Sequence, residues 1–242
     1  MRRELCVCVT AAAALGTGIG RVAEAEFVEF VVTATNVTNS GQNLVVYSVF
    51  ARFNGPTDTL LNCFNLGSST PGGLVGFWHK DLASYNSSVL SQEYGTWNPS
   101  QTGSVTLNRP FDSYLTVGGQ AAGTNTSNAD PSWVTGGNAD ARSWNRPDLP
   151  NNGTLGWFNS NPPNLQGRVG TAPNTATDVR IGQFVLSAGH TARTMTLTVG
   201  YNDGVPGTAV QFGTNTFDLG VIPAPGAVAL LGLAGLAGRR RR

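Results

Sequence analysis

The chain has little of what most catalytic sites are built from. Histidine occurs twice in 242 residues, at His79 and His190, and cysteine three times, at Cys6, Cys8 and Cys63. General acid–base work needs a base with a positioned partner, and each histidine stands isolated in sequence. There is no Gly-x-Ser-x-Gly elbow, no His-Glu-x-x-His helix and no Cys-x-x-Cys pair. Serine-hydrolase, zinc-protease and thioredoxin-like chemistry therefore lack their usual markers. No glycine-rich stretch leads into Lys-Ser or Lys-Thr, which leaves phosphate cradling without support. Residues 26–222 also show little helical periodicity.

Charge is scarce too, at 12% of residues, and its placement is uneven. Seven of the fifteen basic residues lie in residues 1–25 and 239–242, against two of the fourteen acidic ones. The middle keeps eight basic and twelve acidic residues, a net of about −4. A mildly acidic domain argues against nucleic acid as a partner. Cys63 alone lies between the two ends, so an intramolecular disulfide is excluded there. Its neighbours Leu60, Leu61, Phe64 and Leu66 make it a small buried hydrophobe rather than a reactive thiol.

The two ends carry most of the information. Arg2 and Arg3 precede an apolar run from Leu5 to Ile19, followed by Ala23-Glu24-Ala25. A charged start, a short apolar run and an Ala-x-Ala site predict a secretory signal peptide over residues 1–25, cut after Ala25. At the other end, Pro223-Ala224-Pro225 precedes a Gly-, Ala- and Leu-rich stretch, Gly226–Gly238, and then Arg239, Arg240, Arg241 and Arg242. Thirteen residues of helix span about 20 Å at ~1.5 Å each. A bilayer core is about 30 Å thick and takes ~20 apolar residues. The segment 226–238 is thus expected to form a short apolar helix that holds a membrane transiently, its arginines kept on the cytoplasmic side.

This order of parts resembles a PEP-CTERM sorting signal, in the form common in planctomycete-like bacteria. The resemblance covers about 20 residues, 223–242, and Ala224 stands where the usual motif has glutamate. It implies recognition and cleavage by exosortase, a membrane-embedded cysteine transpeptidase-like enzyme, after export through the Sec machinery. The destination it implies is the cell surface or extracellular matrix, with transient membrane anchorage.

Residues 26–222 read as one all-β domain, an antiparallel β-sandwich of jelly-roll or Ig-like kind. Expected strands are Val28–Val37, Leu44–Phe53, Thr59–Leu66, Ser104–Leu107, Ser113–Val117, Val179–Ser187, Thr194–Tyr201 and Thr216–Val221. Asn39-Ser40-Gly41 predicts a hairpin between the first two, with Val45, Tyr47, Val49 and Ala51 sharing one face. The third strand is expected to continue the same meander. Residues 118–178, dense in Gly, Asn, Pro, Thr and Ser, are expected to form a loop-rich insert with one short strand near Leu155–Phe158.

Three groups of residues in this domain invite a functional reading. Trp133, Trp144 and Trp157 stand in polar surroundings; they either stack on sugar rings, making a carbohydrate-binding module, or pin the insert to the core, the commoner role. Asp112, Asp130, Asp140 and Asp148 offer carboxylates for a glycosidase pair, though loop spacing fixes no geometry. Asn128-Ala129-Asp130 and Asn138-Ala139-Asp140 repeat ten residues apart; such hard oxygen ligands suit calcium, but Asx-turns use the same residues more often. Asn36, Asn86, Asn125 and Asn152 begin Asn-x-Ser/Thr sequences and so mark expected surface loops, open to glycosylation. The sequence thus predicts a secreted, non-enzymatic protein without a cofactor, structural or adhesive in role. A polysaccharide binder and a glycoside hydrolase are the alternatives.

Overall fold

The alternation read from Val45 to Ala51 is present in the computed structural model of the chain, which describes residues 25–220 apart from 72, 81–88, 101–107, 121 and 135–143. Strand β1 (Phe27–Asn39) and strand β2 (Gln42–Phe53) form an antiparallel hairpin. Ser40 and Gly41 both take positive φ, 51° and 77°, the two-residue turn whose twist matches that of the paired strands. Along β2, Val45, Tyr47, Val49, Ala51 and Phe53 are buried on one face. Sequence patterning and turn chemistry agree here, so the hairpin is locally specified.

The remaining strands are β3 (Thr59–Ser68), β4 (Tyr114–Leu115), β5 (Ser127–Ala129), β6 (Leu155–Asn159), β7 (Asp178–Ser187), β8 (Arg193–Asn202) and β9 (Gln211–Leu219). They build two antiparallel sheets, one in the order β1-β2-β7-β4 and the other β5-β6-β3-β8-β9. Helix among the described residues is limited to short 3-10 turns such as Arg109–Phe111, Pro131–Val134 and Pro162–Asn164. Side chains from both sheets meet in a single core, with Val49, Ile181 and Phe184 from the first and Leu60, Cys63, Leu197 and Val199 from the second.

Three expectations are corrected. The third strand does not continue the meander: after the turn at Gly55-Pro56, β3 enters the opposite sheet between β6 and β8. Buried Asp58 holds that turn by accepting the amide of Gly55 at 2.8 Å, while its carbonyl accepts the amide of Val169. The span 118–178 carries the short strand expected near Leu155–Phe158, as β6, but supplies β5 as well, so it gives the second sheet two strands rather than one. The last strand starts earlier than expected, at Gln211, and β9 is a sheet edge. The expected strand Ser104–Leu107, the tail from 221 onward with its apolar helix, and the residues before 25 lie outside the described residues. No described helix is long and apolar enough to cross a membrane.

Strand β7 carries an irregularity that shapes what surrounds it. Val49 pairs with Gly182 and Phe50 with Arg180, leaving Ile181 as an extra residue, a bulge. Before it Val179 and Ile181 face the main core; after it Phe184 and Leu186 do. Val185 is thereby turned to the outer face, where it joins Leu44 and Val46 in a second, smaller core beneath Trp78 and Leu90. Gln183 points the same way and donates to the carbonyls of Arg109 and Asp112 at 2.6 and 2.7 Å. Loop thus covers the part of the first sheet's outer face around Leu44, Val46, Gln183 and Val185.

Candidate functional site

Along one row of the second sheet's outer face there is no such cover among the described residues. Asn128 of β5 pairs with Phe158 of β6, Phe158 with Asn62 of β3, Asn62 with Gly200 of β8, and Gly200 with Phe212 of β9. Residues paired across strands share a face, so one line of side chains crosses all five strands. Inward neighbours Cys63, Trp157, Val199 and Leu197 are buried. Outward, Phe212 is 63% exposed and Phe158 37%. Phe64, two residues along β3 from Asn62, meets Phe212 edge to face with ring centroids 5.7 Å apart.

These residues line a cleft of about 430 Å³ with Asp130 and Thr154 at its rim. A second hollow of about 500 Å³ adjoins it through Asp130 and Phe158 and runs along Asn128 to Pro131. Asp130 Oδ1 accepts the amide of Ser132 at 2.8 Å and also its hydroxyl. Its Oδ2 occupies space left by Gly156, where a Cβ would lie 2.2 Å away. Gly200 plays the same part for Asn62: a Cβ there would lie 2.3 Å from Asn62 Oδ1. That oxygen is buried and has no hydrogen-bond partner among the described residues. Neither hollow has a Lys, Arg or His among its described lining residues.

The sequence candidates fall elsewhere. Trp133, Trp144 and Trp157 are each at most 1% exposed, which removes them as sugar-stacking platforms. Trp133 Nε1 donates to Gly156 O and Trp157 Nε1 to Thr116 O, both at 2.8 Å, and the rings of Trp133 and Trp144 pack 5.3 Å apart. An indole with its N–H satisfied and both faces covered stabilises the core by about 4–6 kcal/mol of gross burial. They pin the 118–178 span to the two sheets.

His79 is fully buried, its Nε2 donating to Pro147 O at 2.9 Å and its Nδ1 3.7 Å from Asp112 Oδ1. Asp112 is buried as well and accepts the amide of Lys80. Neither reaches a cleft. His190 donates from Nδ1 to Thr191 O, while its Nε2 lies 2.8 Å from the Tyr47 hydroxyl. Burial lowers its pKa against the effect of that backbone bond, and nearby Arg193 lowers it further. The Tyr47 hydroxyl also donates to Gly220 O, at the end of the described chain. Asp148 pairs with Arg146 at 3.2 Å, and Asp140 lies outside the described residues.

Asn128 lies in β5 and Asp130 just after it, whereas Asn138–Asp140 lies outside the described residues. Among the described residues no three His, Cys, Asp or Glu side chains converge. Cys63 is fully buried and burial raises its thiol pKa well above the usual value, in keeping with a packing role. Of the Asn-x-Ser/Thr sites, Asn36 is exposed but on strand β1 rather than a loop. Asn125 is 8% exposed and donates to Thr116 and Gln120, so its amide is not open to modification. Asn152 donates to Ser132 O, and Asn86 lies outside the described residues. Ala25 packs in the core, and Ala23 is not among the described residues.

A third hollow, about 540 Å³ near Gln120, Asn125 and Gln166, has its polar groups already spent on one another. Gln166 Nε2 alone donates to Val117, Asn125 and Ser127. The row on the second sheet is therefore the candidate site. Sequence reasoning missed it because its phenylalanines sit one per strand; the available signal was that Asn62 and Phe64 share the parity opposite to Cys63. No known family, curated protein or solved structure matches the chain.

Proposed function

We propose that this is a secreted, non-enzymatic β-sandwich of jelly-roll or Ig-like kind, delivered to the cell envelope or extracellular matrix, where its role is structural or adhesive. Exosortase processes its C-terminal tail in this reading, with residues 226–238 serving as a brief helical anchor. The observation that carries the proposal is the pairing of an N-terminal export signature with the Pro223-Ala224-Pro225, apolar and Arg239–Arg242 order. Strand β9 supports it by ending at Leu219 on a sheet edge, four residues before Pro223.

The candidate site favours binding over turnover. Glycoside hydrolysis uses two carboxyl groups flanking one bond, and Asp130 is the only acid among the described residues lining either hollow. Both histidines are engaged away from it. Mass spectrometry of envelope and medium fractions tests the proposal: the expected species begins at Glu26 and lacks Arg239–Arg242. A full-length chain confined to the cell interior overturns it.

A further inference from the structure

We propose that the row Phe158–Asn62–Gly200–Phe212 is a trough for a neutral polysaccharide, with sugar rings laid against the two phenyl groups. This deepens the adhesive reading above and rests on it. Neighbouring strands lie about 4.8 Å apart, which puts the Phe158 and Phe212 backbones about 14 Å from one another, three strand spacings. That distance suits two to three consecutive sugar units running across the strands. Between the rings, Gly200 contributes no side chain, and the Asn62 amide fills the space over it beside the Phe212 ring.

The chemistry of the trough selects the ligand. Phenyl faces attract the C–H faces of a sugar ring, and a ring left 63% exposed has apolar surface to cover. Phe212 is braced edge-on by Phe64, so its orientation is set before a ligand arrives. Asp130 and Asn128 add an acceptor-rich rim. The absence of any cation among the described lining residues disfavours phosphate, sulfate, uronate and acidic peptide, each of which Asp130 repels. A polymer with many hydroxyls and no charge meets all three conditions.

Affinity electrophoresis of the full chain through gels containing laminarin, galactomannan or xyloglucan tests this. At least one of these is expected to slow migration. Phe212→Ala and Phe158→Ala should each weaken the retardation at least about fivefold, and Phe212→Trp should strengthen it, a gain that impaired folding cannot mimic. No retardation by any of the three, or retardation unchanged in Phe212→Ala, overturns the trough. So does a wild-type dimer, seen by light scattering, that Phe212→Ala converts to monomer without any glycan effect; the face would then be a contact between copies. Fractionation separates this from the broader reading. A surface-located, trimmed chain that binds no glycan loses the trough alone, whereas an untrimmed intracellular chain that still binds loses the surface role alone.

Discussion

Asn54 grips Glu26 through both ends of its amide. The Glu26 backbone N–H donates to Asn54 Oδ1 at 3.1 Å, Asn54 Nδ2 donates to Glu26 Oε2 at 2.9 Å, and the Asn54 N–H donates to Glu26 O at 3.2 Å. The start of the sandwich is therefore fastened at the residue expected to follow signal cleavage. Asn54→Ala keeps only the backbone bond and should cost about 0.5–1.5 kcal/mol, read as a lower urea midpoint. An unchanged midpoint means the grip contributes nothing.

Arg52 and Asp178 pair across β2 and β7, with Nε–Oδ1 at 2.8 Å and Nη2–Oδ2 at 3.1 Å. The hydrogen bond from Arg52 lowers the Asp178 pKa, with burial opposing it. The folded value lies below the unfolded one of about 3.9. The resulting stabilisation is complete above the unfolded value and disappears as pH falls through the folded one. Arg52→Met should flatten the stability curve below about pH 4. A curve parallel to that of the unaltered chain would show the pair to be energetically silent.

Gly118 takes φ of +67°, and a Cβ there would lie 1.9 Å from the backbone oxygen of Gln166. Backbone cannot swing aside as a side-chain tip can, so Gly118→Ala should cost about 2 kcal/mol or more. Gly123 has nothing within 4 Å and serves as the control. Equal melting temperatures for the two variants would contradict the close approach.

Trp97, Trp133, Trp144 and Trp157 are sealed in the core, while Trp78 is partly exposed and donates to Ser187 Oγ. Iodide should quench only the Trp78 share of the fluorescence. In Trp78→Phe the remaining emission should resist iodide almost completely; strong quenching there would mean that the span carrying Trp133 and Trp144 opens in solution.

The first hairpin was readable because alternation over β2 and the Ser40-Gly41 turn each specify it locally. The placement of β3 was not, since Thr59–Leu66 has the same local character whichever sheet it joins, and partners 89 to 143 residues away decide the matter. The tryptophans left two roles open for a related reason. Polar neighbours in sequence suggest exposure, but the backbone carbonyls of Gly156 and Thr116 satisfy the Trp133 and Trp157 indoles inside the core. The trough was illegible because Phe158, Asn62 and Phe212 become neighbours only through strand pairing.

The additional residue at Ile181 interrupts the pairing of β7 with β2 at a single point. Deleting it would leave Arg180 and Gly182 successive and already opposite Phe50 and Val49, so the pairs on both sides would persist as a regular ladder and only the local kink would be lost. The bulge thus lets one strand serve two hydrophobic compartments, giving Val179, Ile181, Phe184 and Leu186 to the main core and Val185 to the smaller outer one.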